Sequence, residues 1–144
     1  MRYTTPILAL ATLFVSCRND KSDLPAEQAQ EKLATFHLFA QQEYAGSPME
    51  NTTAEVRLQL RIINYKTGEQ QLVWDSLLPV RKIMDFPRYD QKLVIIKKQP
   101  VHNSHQKLNA SMSVIYRDAQ MISQEGRSDE AGPGTNSILL EAAL

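Results

Sequence analysis

EVRLQLRIINY, residues 55–65, sets Val56, Leu58, Leu60 and Ile62 against Glu55, Arg57, Gln59 and Arg61. Apolar and charged residues alternate with a period of two. That is the signature of a β-strand with one face buried and one in water, because successive side chains leave a strand on opposite sides. Lys66, Thr67, Gly68 and Glu69 follow. Their glycine suits a tight turn that needs a positive φ, and residues 71–77 continue in an extended pattern, so 55–77 reads as a β-hairpin. Trp74 shares a face with Leu72 in this reading, which directs it to a core.

The same alternation recurs downstream. Residues 91–98 carry Leu93, Val94, Ile95 and Ile96 between lysines, and residues 107–117 alternate Leu108, Ala110, Met112, Val114 and Tyr116 with Asn109, Ser111 and Ser113. Both are read as strands. Upstream, residues 33–44 carry two patterns. Leu33, His37, Ala40 and Tyr44 fit a helical stripe stopped by Gly46, whereas Thr35, Phe36, Phe39 and Tyr44 favour a strand; strand is preferred because the hairpin needs partners. Residues 26–32 are rich in helix formers, and 126–136 (GRSDEAGPGTN) read as a loop without a core face. Residues 137–144 close the chain as a strand with Ile138, Leu140, Ala142 and Leu144 on one side, or as a short helix. Six or seven short strands in about 110 residues indicate a mainly β, antiparallel, immunoglobulin-like β-sandwich. The alternative is an α+β arrangement, an open antiparallel sheet with an N-terminal helix.

The chain has 144 residues, 42% apolar and 22% charged, which is one-domain length with enough apolar content for a packed core. Lys plus Arg and Asp plus Glu each number 16. Such a balance leaves no basic footprint for nucleic acid. A single cysteine, Cys17, forms no internal disulfide, so stability must come from packing.

Ahead of the β segments, Arg2 is followed by the apolar run ILALATLFV (residues 7–15), then Ser16, Cys17 and the charged stretch Arg18, Asn19, Asp20, Lys21. A short basic region and then a short apolar one is the layout of a secretory signal, and the run is about half the roughly 20 residues a membrane span needs. Cleavage after Ala9-Leu10-Ala11 would leave too short an apolar region. Phe14-Val15-Ser16-Cys17 resembles the lipobox of bacterial lipoproteins, with Phe14 where that family usually has leucine. The resemblance covers residues 1–23. It implies that the thiol of Cys17 receives a diacylglycerol, that the signal is cut before it and that the new amino group is acylated. Arg18 in second place then implies the outer membrane, and residues 19–23 look somewhat like the acidic tether of surface-exposed lipoproteins. The implied organisation is a signal peptide at 1–16, a lipidated Cys17 with a tether or short helix at 17–32, and a β-sandwich domain at 33–144. Several acyl chains anchor stably because each buried methylene contributes about 0.8 kcal/mol.

Within the domain the candidate sites are few. His102 and His105 stand three apart after Pro100 and would serve a periplasmic metal-binding module, though metal sites need further converging ligands. Phe86, Arg88 and Tyr89 sit in a proline-bearing connection expected on the surface, where aromatics stack on glycans. Arg57 and Arg61 line the polar face of their strand and could dock a carboxylate. Each set also has a plain structural reading as solvated or self-packed side chains. No nucleophile elbow, phosphate loop or paired-carboxylate motif stands in the sequence, so a non-catalytic protein without a cofactor is expected. The expected function is a membrane-anchored binding or structural module whose partner is an envelope protein or a glycan.

Overall fold

The computed structural model describes residues 28–144. The signal peptide, Cys17 and the tether up to residue 27 lie outside the described residues.

Eight strands follow in order: β1 (Gln30–Phe39), β2 (Thr53–Asn64), β3 (Gln70–Leu77), β4 (Arg81–Lys82), β5 (Leu93–Val101), β6 (Gln106–Arg117), β7 (Ile122–Ala131) and β8 (Ser137–Ala143). They form two sheets. One has the order β5-β1-β8, and the other β3-β2-β6-β7 with β4 continuing beside β2. Every pairing is antiparallel except β1 with β8. The chain is therefore mainly β and its sheets form a sandwich. The immunoglobulin-like type rests on the sequence pattern.

The two sheets meet through the inward rows predicted by alternation. Ala34, Phe36 and Leu38 of β1 and Ile138, Leu140 and Ala142 of β8 face Val56, Leu58 and Leu60 of β2 and Leu108, Ala110, Met112 and Val114 of β6; all are buried. Full burial of one such side chain contributes about 1.5–3 kcal/mol, so these rows, rather than any polar bond, hold the sheets together.

Four expectations are corrected. Residues 30–32 are not helical: they open β1, which pairs with both β5 and β8, and paired backbone groups outweigh the weak local helix preference. Residues 126–131 are strand rather than loop. Glycine and charge are tolerated there because β7 lies at the sheet edge with nearly all its side chains exposed, and its ten-residue ladder to β6 needs only backbone groups. Residues 89–91 form a 3-10 turn, so β5 starts at Leu93.

The fourth concerns Trp74 and Leu72. Leu60 pairs with Trp74 and Arg61 with Leu72, which leaves Val73 as an extra residue, a β-bulge. A one-residue slip flips the side chains between faces. Trp74 therefore turns inward, 5.9 Å from the Phe36 ring, while Leu72 is 48% exposed. The hairpin turn matches its expectation, with Gly68 at φ 74°.

Candidate functional site

At one end of the sandwich, where β1 is paired with β8 as far as Phe39 and Ala143 and β6 with β7 as far as Arg117 and Ile122, a cavity of about 350 Å³ opens with residues of both sheets in its lining. That volume lies in the range of small-ligand pockets. Three local structures build its walls.

The first is the connection from β1 to β2. Gly46 takes φ 74°, and Ser47 Oγ donates to the Tyr44 carbonyl at 2.8 Å, which curls the chain back on itself. Tyr44 is thereby buried, and its hydroxyl donates to the Leu144 carbonyl at 2.6 Å. Gln41 N donates to the same oxygen at 2.9 Å. The chain leaving β1 is thus fastened to residue 144, and both Tyr44 and Leu144 line the cavity. Thr52 ends the connection at 3% exposure, and its Oγ1 has no hydrogen-bond partner among the described residues. A buried hydroxyl without a partner costs about 1–3 kcal/mol.

The second wall is the turn between β6 and β7. Asp118 Oδ1 accepts from the backbone N–H of Gln120 at 2.7 Å and of Met121 at 2.8 Å, an Asx-type turn. Those two N–H groups hold the Asp118 carboxyl below the usual carboxylate range. The turn leaves Met121 exposed, and it lines the cavity together with the exposed Met49.

The third wall is the inward face of the strands themselves. Tyr116 occupies the last inward position of β6, and burial pushes its phenol up to about 12, with the negative charge of Glu125 adding to the effect and Arg127 opposing it. The phenol therefore keeps its proton at neutral pH and remains a donor. Glu125 reaches the cavity from β7, where its register partner is the inward residue Val114. Ala143 supplies an apolar surface from β8. The lining thus holds two acids, Asp118 and Glu125, with no Lys, Arg or His.

The sequence-derived candidates lie elsewhere and apart from one another. His102 and His105 sit at the β5–β6 connection, at the opposite end of the sandwich, with rings stacked 5.7 Å apart and 13° from parallel. Among the described residues no group of three or more His, Cys, Asp or Glu is arranged to hold a metal ion. Phe86 is not an exposed aromatic. It is 4% exposed, because the 3-10 turn Ile83–Asp85 folds its ring into the core under the Arg81 guanidinium. Tyr89 is exposed, but its ring stands edge-on to Phe39 at 4.9 Å and beneath the Lys92 ammonium at 4.3 Å. Arg88 is hydrogen-bonded to Glu43. Arg57 forms a two-pronged pair with Asp75, Nε to Oδ1 at 2.9 Å and Nη2 to Oδ2 at 2.5 Å, and Arg61 donates to Gln59. Arg57 also borders a shallow trough on the outer sheet face with Gln59, Ser111, Ser113 and Ser128.

Compared with known protein families, curated proteins and solved structures, the chain matches none.

Proposed function

We propose that this chain is a lipid-anchored, non-catalytic binding or structural module of the bacterial cell envelope, held at the outer membrane through Cys17, with an envelope protein or a glycan as partner. One observation carries the reading: an apolar run at residues 7–15 ends in Val15-Ser16-Cys17 and is followed at once by charge. The geometry of the domain supports it. β1 begins at Gln30, and the cavity lies beyond the other end of that strand, at Gln41 and Tyr44. At about 3.3 Å per residue the ten residues of β1 set the two about 30 Å apart. A membrane attachment before Gln30 leaves the cavity on the far side of the domain, open to a partner. Metabolic labelling with palmitate and membrane fractionation test the proposal. The wild-type chain labels and sediments with membranes, whereas Cys17→Ala does neither; a wild-type chain that stays unlabelled and soluble contradicts it.

A further inference from the structure

β7 is paired on one side only, to β6, and its other edge meets no strand among the described residues. We propose that this edge pairs with the same edge of a second copy of the chain, antiparallel, about a two-fold axis at Gly126. The two sheets then join into one, and the pairing is independent of the lipid anchor.

Charge sets the register. Glu125 and Arg127 are both exposed, and neither enters an ion pair among the described residues. An axis at Gly126 sets Glu125 of each copy opposite Arg127 of the other, Ser123 opposite Asp129 and Gln124 opposite Ser128. No like charges meet directly, and opposite charges facing each other across strands attract. An axis at Glu125 or at Arg127 would place two like charges at its centre, and one at Ser128 would leave Ile122, Ser123 and Gln124 unpaired. A one-residue slip would turn the inner face of one copy outward.

Gly126 is the second observation. Glycine inside a strand marks a bulge, a bend or the close approach of another backbone. The β6–β7 register runs without a shift from Arg117 and Ile122 to Leu108 and Ala131, so there is no bulge. Gly126 has no positive φ, and a Cβ there would meet nothing within 4 Å in the monomer. Pairing at the axis gives this glycine a role: the two backbones meet without side chains between them.

The other edge strands are less open to such pairing. β5 carries Pro100, which lacks an N–H, β3 is bent by the bulge at Val73, and β8 has seven residues where β7 has ten.

The test is oxidation by copper phenanthroline of the full chain in intact cells that make it, read as a dimer band under non-reducing conditions. Gly126→Cys should cross-link, since facing residues of antiparallel strands hold their Cβ atoms about 4.5–5.5 Å apart. Chains carrying Gln124→Cys and Ser128→Cys, made together with different tags, should cross-link to each other and not to themselves. Leu72→Cys, exposed on the edge strand β3, should not cross-link. Adding Glu125→Arg to Gly126→Cys should slow the reaction about tenfold, the loss expected when two attractive cross-strand pairs become repulsive, and adding Arg127→Glu as well should restore it. Cross-linking of Leu72→Cys or of Ser128→Cys to itself at the rate of Gly126→Cys overturns the two-fold pairing. So does no cross-link at Gly126 and between positions 124 and 128, or a double charge reversal that stays slow.

Discussion

The ammonium of Lys32 lies 2.7 Å from the carbonyl oxygen of Thr135, 103 positions further along the chain. It reaches Gly132 O at the same distance, so one side chain ties the start of β1 to the loop that leads into β8. Lys32 is fully buried, and desolvation lowers its pKa. Its aliphatic stem occupies an inward position in line with Ala34 and Phe36, which explains why a lysine is tolerated in a core row. Lys32→Ala should destabilise the domain by about 2–3 kcal/mol through the space it leaves. Lys32→Met fills that space and removes a buried charge, and because Thr135 is exposed its freed carbonyl can meet water, so the loss should stay below about 1 kcal/mol. Urea midpoints of the three proteins decide. Equal losses for both variants would show that the hydrogen bonds, and not the stem, carry the contribution.

The bulge at Val73 makes a second, opposite pair of outcomes. Leu72→Lys should change stability by less than about 0.5 kcal/mol, since the side chain already faces water. Trp74→Ala should cost about 2 kcal/mol, a half-buried ring losing its contacts with Phe36 and the core. Thermal unfolding monitored by circular dichroism measures both; a costly Leu72→Lys would mean the alternation runs unbroken through β3.

Tyr116 predicts how the fold fails in alkali. Its folded pKa, about 12, is above the unfolded value near 10, so between these pH values the folded chain holds a proton that the unfolded chain has lost. Stability contributed by this group is therefore present below pH 10 and declines as pH rises toward 12. Tyr116→Phe removes that part of the decline. Absorbance at 295 nm followed against pH should show one tyrosine fewer titrating late in the variant; an unchanged curve would place the late titration on another ring.

Asp75 acts at the other extreme. Its hydrogen bonds from Arg57 are the largest cause of a pKa below the usual carboxylate range. The unfolded carboxylate takes up its proton first as pH falls, so the stabilisation is present above the ordinary carboxylate pKa and lost through the depressed one. The pair is exposed and its contribution correspondingly small. The difference in urea midpoint between wild type and Asp75→Asn should shrink as pH is lowered from 7 to 3 and also shrink at high salt. A difference that grows in acid would contradict the assignment.

Much of the sandwich was legible because burial on one face forces a period of two, and β2, β6 and β8 show it at Val56, Leu58 and Leu60, at Leu108, Ala110 and Met112, and at Ile138 and Leu140. β7 was illegible for the converse reason. An edge strand with both faces in water is specified by its ladder to β6, and backbone pairing leaves no hydrophobic pattern. Phe86 misled because a proline-bearing connection usually runs over the surface, yet a single turn of 3-10 helix is enough to drop one ring into the core. The cavity could not be read at all. Tyr44 and Thr52, Tyr116, Glu125 and Leu144 converge from four separate segments, and only Asp118 followed by Gln120 and Met121 carried a local signal, that of an Asx turn.

The central claim is that the working molecule begins at a lipidated Cys17, and mass spectrometry of the amino-terminal peptide from membrane-extracted protein addresses it directly. The account predicts a peptide starting at Cys17, with a diacylglyceryl group on sulfur and an acyl chain on the α-amino group. A peptide that begins at Met1, or one cut elsewhere and carrying an unmodified Cys17 thiol, would contradict it.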